Sequence, residues 1–396
     1  MTDTIAIAHK DYDCRGGGEV FCRRLAEYLD CPMFVGRRNL TNEPDNSAID
    51  ITEIPLSRPE QWMIDRGGLT RTAAYMLRWP AAADQLSQFD TIITSGNEPL
   101  WWVPDDDQTV IAYTHSTPRY MYDLFNEKTD FQSLTGRLAT VFYNAQRVLY
   151  ETNVNRPDVW VANSELVARR IERYWNIDES QIEVVHPPVD THEFSPEAAE
   201  TDDYYLYLGR LAGAKCVDQV VAAFDELDAE LVIAGTGSER ERLEAMAGES
   251  VRFTGFVSEE RKRELYAGAR ALIFPAQNED FGMVPIEAMA AGTPVLGVRD
   301  GFTRFQVQPG ECGLLWERGE LAETVRAFER DGVTWSETEI ATYAATNWSI
   351  GRFESEMQAV IDEATETTAV EVDLETPARG FECPIPQSAA TDGGTE

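Results

Sequence analysis

The sequence predicts an α/β protein made of two parallel-sheet domains in series, and three observations carry that prediction. Its 396 residues exceed what one hydrophobic core usually organises. Short β-branched runs alternate with amphipathic stretches, the pattern of repeated strand–helix–strand units. The alternation stops at His186-Pro187-Pro188 and begins afresh at Tyr204, so the halves are of similar size.

In the first half, strands are expected over residues 4–9, 33–36, 91–95, 109–115 and 159–163, with helices over 20–28, 137–151 and 165–174. Two consecutive prolines continue neither a helix nor a central strand, so they close this half, and residues 196–203 read as a polar linker. In the second half, strands are expected over 204–208, 230–234, 251–253, 271–274 and 295–298, with helices over 217–227, 238–247, 258–268 and 283–291. The expected organisation is a first domain over 1–196, a second over 197–345 and a helix over 346–363 packing back toward the first. From Ala364 the composition turns to Thr, Glu, Ala, Gly and Pro without periodicity, which reads as a disordered tail over 364–396. Two Rossmann-like domains of this kind face one another across a crevice, with the ligand outside the carboxyl ends of the strands.

Charge narrows the class of partner. The chain carries 69 Asp plus Glu against 34 Lys plus Arg, a formal charge of -35, and only Lys10, Lys128, Lys215 and Lys262 among its basic residues are lysines. Such an excess repels itself in dilute buffer, whereas molar salt shortens the Debye length to about 3 Å, so a halophilic cytoplasm is the expected setting. Nucleic acid, which needs a basic footprint, is excluded as a partner. No run approaches the roughly 18 apolar residues of a membrane span, and the chain enters its first strand without a signal sequence, so a cytoplasmic protein is expected. Six scattered Cys without CxxC spacing read as reduced thiols.

Two stretches carry chemistry. Gly209-Arg210-Leu211 follows a strand and Lys215 stands at the mouth of the next helix, a placement that suits a diphosphate and is otherwise two surface cations. The run Asn278-Glu279-Asp280-Phe281-Gly282-Met283-Val284-Pro285-Ile286-Glu287 leads from a strand into a helix that Gly292 and Pro294 end. Glu279 is expected on the entering loop and Glu287 in the first helical turn, near free N–H groups. For Glu287 alone, complementing the helix dipole is the plainer reading.

Together with Gly235-Thr236-Gly237 and Gly255-Phe256-Val257, and with the two Glu seven residues apart, these segments resemble glycosyltransferase family 4, whose members have the two-domain GT-B fold. The resemblance extends to Arg15-Gly16-Gly17-Gly18-Glu19, to Tyr113-Thr114-His115-Ser116-Thr117-Pro118-Arg119-Tyr120, to Asn163-Ser164 and to Val185-His186-Pro187-Pro188-Val189-Asp190, and spans roughly residues 4–363. It implies that Arg210 and Lys215 beside Gly209 bind the donor diphosphate and that Glu287 holds the ribose. Glu279 with the Phe281, Gly282 and Met283 backbone would hold the transferred sugar, and Gly255, Phe256 and Val257 would meet the base. Gly16 and Gly17 would let the N-terminal loop approach the phosphates, and His115 would touch the donor sugar from the acceptor side. The bland counterparts are a satisfied strand-end histidine and a simple strand-to-helix turn.

The resemblance further implies a retaining hexosyl transfer without metal or cofactor. The leaving phosphate helps deprotonate the acceptor, and the protein supplies positioning and charge. Glu279 to Gly282 with the segment from His115 to Tyr120 is most similar to the mannosyltransferase-type branch, which implies GDP-mannose as donor and a glycan or polyprenyl-linked glycan as acceptor at the inner membrane face. Trp62, Trp101, Trp102, Tyr120 and Tyr122 are candidates to stack on that acceptor. Two departures stand out: Lys215-Cys216-Val217-Asp218 where relatives have Lys-Gly-x-Asp, and Asp300-Gly301-Phe302-Thr303-Arg304-Phe305-Gln306 where they have Gly-Gly-x-x-Glu. Three rivals remain open: a metal-dependent transferase using Asp11-Tyr12-Asp13 or Asp105-Asp106-Asp107, a hydrolysing sugar-nucleotide epimerase, and a non-catalytic nucleotide-sugar-binding subunit.

Overall fold

A computed structural model describes residues 4–12, 16–38, 49–125, 132–196 and 203–375. In the first domain β1 (Ile5–His9), β2 (Met33–Val35), β3 (Ile51–Glu53), β4 (Thr91–Ser95), β5 (Thr109–Thr114), β6 (Val159–Ala162) and β7 (Ile182–Val184) form one parallel sheet. Their spatial order is β3-β2-β1-β4-β5-β6-β7. Around it pack α1 (Gly17–Leu29), α2 (Arg58–Asp65), α3 (Gly68–Arg78), α4 (Leu134–Asn153) and α5 (Glu165–Trp175).

The second domain repeats the scheme. Its strands β8 (Tyr204–Leu208), β9 (Glu230–Ala234), β10 (Val251–Gly255), β11 (Ala271–Phe274), β12 (Val295–Val298) and β13 (Gly313–Trp316) are parallel in the order β10-β9-β8-β11-β12-β13. Helices α6 (Val217–Phe224), α7 (Arg240–Met246), α8 (Glu259–Gly268), α9 (Met283–Ala290), α10 (Leu321–Asp331) and α11 (Glu337–Trp348) cover it, and α12 (Ile350–Glu375) follows. Strands covered on both faces read as continuous apolar runs because both sets of side chains are buried. In β1, Ala6 and Ala8 enter the core on one face and Ile7 the core on the other.

Both sheets reverse direction of growth between two central strands, β1 and β4 in one and β8 and β11 in the other. At such switch points the loops leaving the two strands diverge and open a crevice at the carboxyl edge.

The chain crosses between domains twice, at the segment after β7 and again between α11 and α12. Val189 N–H donates to Trp348 O at 3.1 Å, and Val189 forms a parallel bridge with Ser349, so the two crossings are zipped side by side. Val189 and Phe194, assigned by the sequence to the first domain, pack in the second domain's core, which moves the boundary back toward the prolines. Past the second crossing, Phe353, Met357, Val360, Ile361 and Ala364 of α12 join the core of the first domain. Burial of Ala364 and helix to Glu375 correct the expectation of disorder from residue 364; residues 376–396 lie outside the described residues.

Candidate active site

At the second domain's switch point, the loop after β8 carries Gly209, Arg210 and Lys215, and the loop after β11 carries Glu279. The two loops meet in an ion pair, Lys215 Nζ to Glu279 Oε2 at 2.5 Å. Arg210 is exposed, makes no ion pair among the described residues, and accepts at its carbonyl from Tyr207 OH and from Ala212 N–H, each at 3.1 Å. A side chain at Gly235 would put Cβ 1.9 Å from Gly209 O, and its φ of 143° disfavours any other residue. Gly235 N–H donates to Gly255 O at 2.8 Å, so the loops leaving β8, β9 and β10 form one backbone-lined ledge beside Arg210. Cys216 takes a left-handed φ of 50° at the start of α6. The departure from Lys-Gly-x-Asp therefore keeps the turn that glycine would favour, at a modest conformational cost.

The Glu279 loop is fixed from several sides. Gly301 meets it so closely that a Cβ would lie 2.4 Å from Glu279 N, and Phe302 N–H donates to Glu279 O at 2.9 Å. The first domain grips the flanking residues. Arg119 Nη1 donates to Asn278 O at 2.9 Å, Ser164 Oγ donates to Asp280 O at 2.6 Å, and Arg170 donates to the Asp280 carboxylate and to Asn278 Oδ1. Ser164 and Arg119 lie in segments that carried the family resemblance. Arg170 was missed, since on the amphipathic α5 it reads as one more polar-face residue.

Gly282 caps α9, so the helix starts at Met283 and Glu287 falls in its second turn, a correction to the expected first-turn placement. The dipole reading loses its basis, because the carboxylate is instead aimed by two donors, Tyr266 OH at 2.8 Å and Lys262 Nζ at 3.2 Å. Burial, followed by the Glu287 charge, pushes the Tyr266 phenol well up, so it stays a donor. The Phe281 ring is buried against Phe302 and His186, which leaves only its backbone for a ligand. Phe256, after Gly255, is 82% exposed at the sheet edge, and Val257 beside it is partly buried.

From the other side, Gly16 caps α1, and a Cβ at Gly17 would stand 3.2 Å from Met283 Sδ. The domains therefore touch where α1 and α9 both begin. Next to this contact, His115 Nε2 bonds Ser95 Oγ at 2.8 Å. Burial, then the nearby Lys10 charge, pulls the His115 imidazole down to about 3. His9, not singled out in the sequence, lies on the same hydroxyl with Nδ1 at 3.1 Å.

Other candidates are displaced. Trp101 and Trp102 are buried in the first domain's core and are not open to an acceptor. Tyr120 and Tyr122 are partly buried, and Trp62 is exposed. Asp11 is buried and held by Arg71 and Tyr75, while Asp13 lies outside the described residues. Asp105 to Asp107 precede β5, at the sheet edge opposite the crevice.

The paired sheets, reversed strand orders and double crossing define a GT-B fold. Residues 15–193 match the family described as Glycosyltransferase Family 4, and residues 189–348 match Glycosyl transferases group 1. Solved structures share the architecture: sucrose-phosphate synthase from Thermosynechococcus elongatus (TM-score 0.73, 19% identity, 92% of this chain and 100% of that one) and Anabaena HepE in complex with UDP-glucose (TM-score 0.67, 14% identity, 91% and 99%). Among curated proteins, the D-inositol 3-phosphate glycosyltransferase of a Nocardioides species is 30% identical over 222 residues, 47% of this chain and 48% of that one. The chain thus spans about half the length of the curated relatives it matches.

Proposed function

We propose that the protein transfers a hexosyl group from a nucleoside-diphosphate hexose to a hydroxyl acceptor, with retention at the anomeric carbon. The observation that carries this reading is the Lys215–Glu279 pair beside Arg210, which makes no ion pair among the described residues, on a glycine-lined ledge at the switch point. An ammonium and a guanidinium there offset charge growing on a departing diphosphate, and Glu279 is tethered where it can meet the sugar. No metal or cofactor enters this scheme, since the two cations supply that charge.

GDP-mannose is the first donor to test, on the similarity of the segment from Glu279 to Gly282. UDP-hexoses come second, because the HepE structures of like fold hold UDP and UDP-glucose. For the acceptor we favour a lipid-linked glycan reached from the cytoplasmic membrane face. No helix among the described residues is long and apolar enough to cross a membrane. On α4, however, Leu134, Leu138, Val141, Val148 and Leu149 are 44–74% exposed and share one face by their helical spacing. Such a stripe suits a lipid surface. An inositol phosphate, named for the curated relatives, is the soluble acceptor to set against it.

The test is purified protein in high salt with GDP-mannose, UDP-glucose and each acceptor class, with and without EDTA, reading nucleotide release and the anomeric configuration formed. Retained configuration and indifference to EDTA are expected. An inverted product, absence of acceptor-dependent release, or release of free sugar alone would each sink the proposal, the last in favour of a hydrolysing epimerase.

A further inference from the structure

Ser95 ends β4, one strand from His9 at the end of β1 and one from His115 just past β5, so the register brings all three to the crevice edge. Its hydroxyl has a single proton to give. His9 Nδ1 lies 3.2 Å from the Ser95 carbonyl oxygen and 3.1 Å from Oγ. A carbonyl only accepts, so His9 carries its proton on Nδ1 and points it at both oxygens. The other His9 nitrogen, Nε2, is buried with no hydrogen-bond partner among the described residues, as suits a neutral ring bearing a lone pair there. With a lone pair receiving the His9 proton, the Ser95 O–H has His115 Nε2, at 2.8 Å, as its acceptor. A nitrogen that accepts is bare, and the proton of a neutral His115 then sits on Nδ1.

We propose that His9 and Ser95 are positioning residues that fix His115 as the Nδ1–H tautomer, so that its free nitrogen is a hydrogen-bond donor to a ligand oxygen and not a base. The ring has little freedom to escape this role. Phe21 packs edge-on at 4.9 Å, Tyr113 lies at 5.0 Å, and Asn163 Nδ2 donates to the His115 carbonyl at 2.8 Å. Gly18 covers the two imidazoles, with a notional Cβ 3.5 Å from His9 Cε1 and 3.7 Å from His115 Nε2. The Nδ1 atom makes no hydrogen bond among the described residues and is absent from the buried unpartnered atoms, which leaves it for a ligand hydroxyl. A donor suits that oxygen, because it stabilises a hydroxyl lone pair without removing a proton.

The tautomer is independent of the proposed reaction; its use on a sugar hydroxyl rests on the transferase reading. The decisive experiment is two-bond proton–nitrogen correlation on the full chain with labelled histidine, each of the four His assigned by its Asn variant. His115 should show a protonated Nδ1 and a bare Nε2 at neutral pH. Ser95→Ala removes the donor and should move His115 toward the Nε2–H form that imidazole ordinarily prefers, while Ser95→Thr keeps a hydroxyl and should restore the wild-type pattern. His9→Asn keeps a donor amide near Ser95 and should shift the pattern less than His9→Ala. If transfer is found, Ser95→Ala should lower kcat by about five- to tenfold, the worth of one misdirected hydrogen bond, with Ser95→Thr recovering most of it. A wild-type His115 protonated on Nε2, or one whose pattern is indifferent to Ser95→Ala in a folded variant, overturns the proposal. Absence of any transfer, with the spectra as expected, overturns only the transferase reading.

Discussion

Arg170→Ala should separate domain closure from domain folding. The Arg170 side chain is 8% exposed and reaches from α5 across the crevice to the Asp280 carboxylate and to Asn278 Oδ1 at 2.5 Å. Charge-assisted hydrogen bonds of this kind are worth about 1.5–3 kcal/mol each. Arg119 Nη1, 3.9 Å from the same Asp280 oxygen, partly compensates, and Asp280 keeps 18% of its side-chain surface in water, so about 2–3 kcal/mol is the expected net loss. Neither domain core contains the pair. The loss should therefore fall on the arrangement in which the first domain holds the Glu279 loop, and kcat/KM for donor should drop by about 30- to 150-fold. Steady-state kinetics beside thermal unfolding in high salt will read both quantities. Arg170→Ala, Asp280→Ala and the double variant close a cycle whose coupling should carry most of the loss. A variant within threefold of wild type, or one that loses several degrees of thermal midpoint with unchanged kinetics, would refute the assignment of this contact to closure.

Arg210→Ala should lower kcat by on the order of 100-fold, because the leaving group gains charge in the transition state, whereas Glu287→Ala should chiefly raise the donor KM. Gly235→Ala should cost about 3 kcal/mol or more, seen as a lower urea midpoint, since its Cβ would overlap Gly209 O. Stability should fall as the pH drops. The native His115 titrates near 3 and the unfolded residue near 6.5, so the unfolded chain binds the extra proton between those values, and the contribution is complete only above about 6.5. Unfolding midpoints taken at about pH 7 and about pH 5 should differ less in His115→Asn than in wild type.

Much of this was legible because each domain repeats a local rule. Buried central strands such as Thr91–Ser95 and Ala271–Phe274 announce themselves as continuous β-branched or apolar runs bounded by polar residues. The strands over Ile51–Glu53, Ile182–Val184 and Gly313–Trp316 were missed for the complementary reason: they are sheet edges of three or four residues, too short to show a period. Helices α2 and α11 both open with a Ser–Glu capping box, Ser57–Glu60 and Ser336–Glu339, whose three-residue spacing is a helix-start signal in the sequence itself. The site divides likewise. Lys215 and Glu279 stand out by their neighbours in the chain, but their meeting depends on β11 lying beside β8, a non-local pairing no window reveals. His9 was invisible because it ends an apolar strand and its partner is 86 residues away. Glu287 was placed one turn early although the helix was expected from residue 283, since counting from Met283 puts it fifth, past the first turn.

Lysine usage makes the sharpest remaining prediction. The chain has 34 basic residues and keeps four as lysine. Lys128 lies outside the described residues, and each of the others stands beside a proposed site. Lys215 binds Glu279, Lys262 binds Glu287, and Lys10 follows β1, where its charge helps depress both His9 and His115. Elsewhere on the surface the cations are Arg, including those paired with Glu27, Glu244 and Glu356. An exposed ion pair tolerates either residue, since it contributes little in any case. A compact ammonium that must touch one carboxylate oxygen at 2.5 Å and still present protons to a phosphate is a different demand, because a planar fork committed to Glu279 is longer and directs its donors in one plane. Lys215→Arg should therefore lose nearly as much kcat as Lys215→Ala, on the order of 100-fold, despite keeping the charge. Arg252→Lys, an exposed exchange on the edge strand β10, should leave kcat unchanged and serves as the control. If Lys215→Arg retained wild-type kcat, charge alone would suffice at this position, and the argument from the geometry of the Lys215–Glu279 contact would fail.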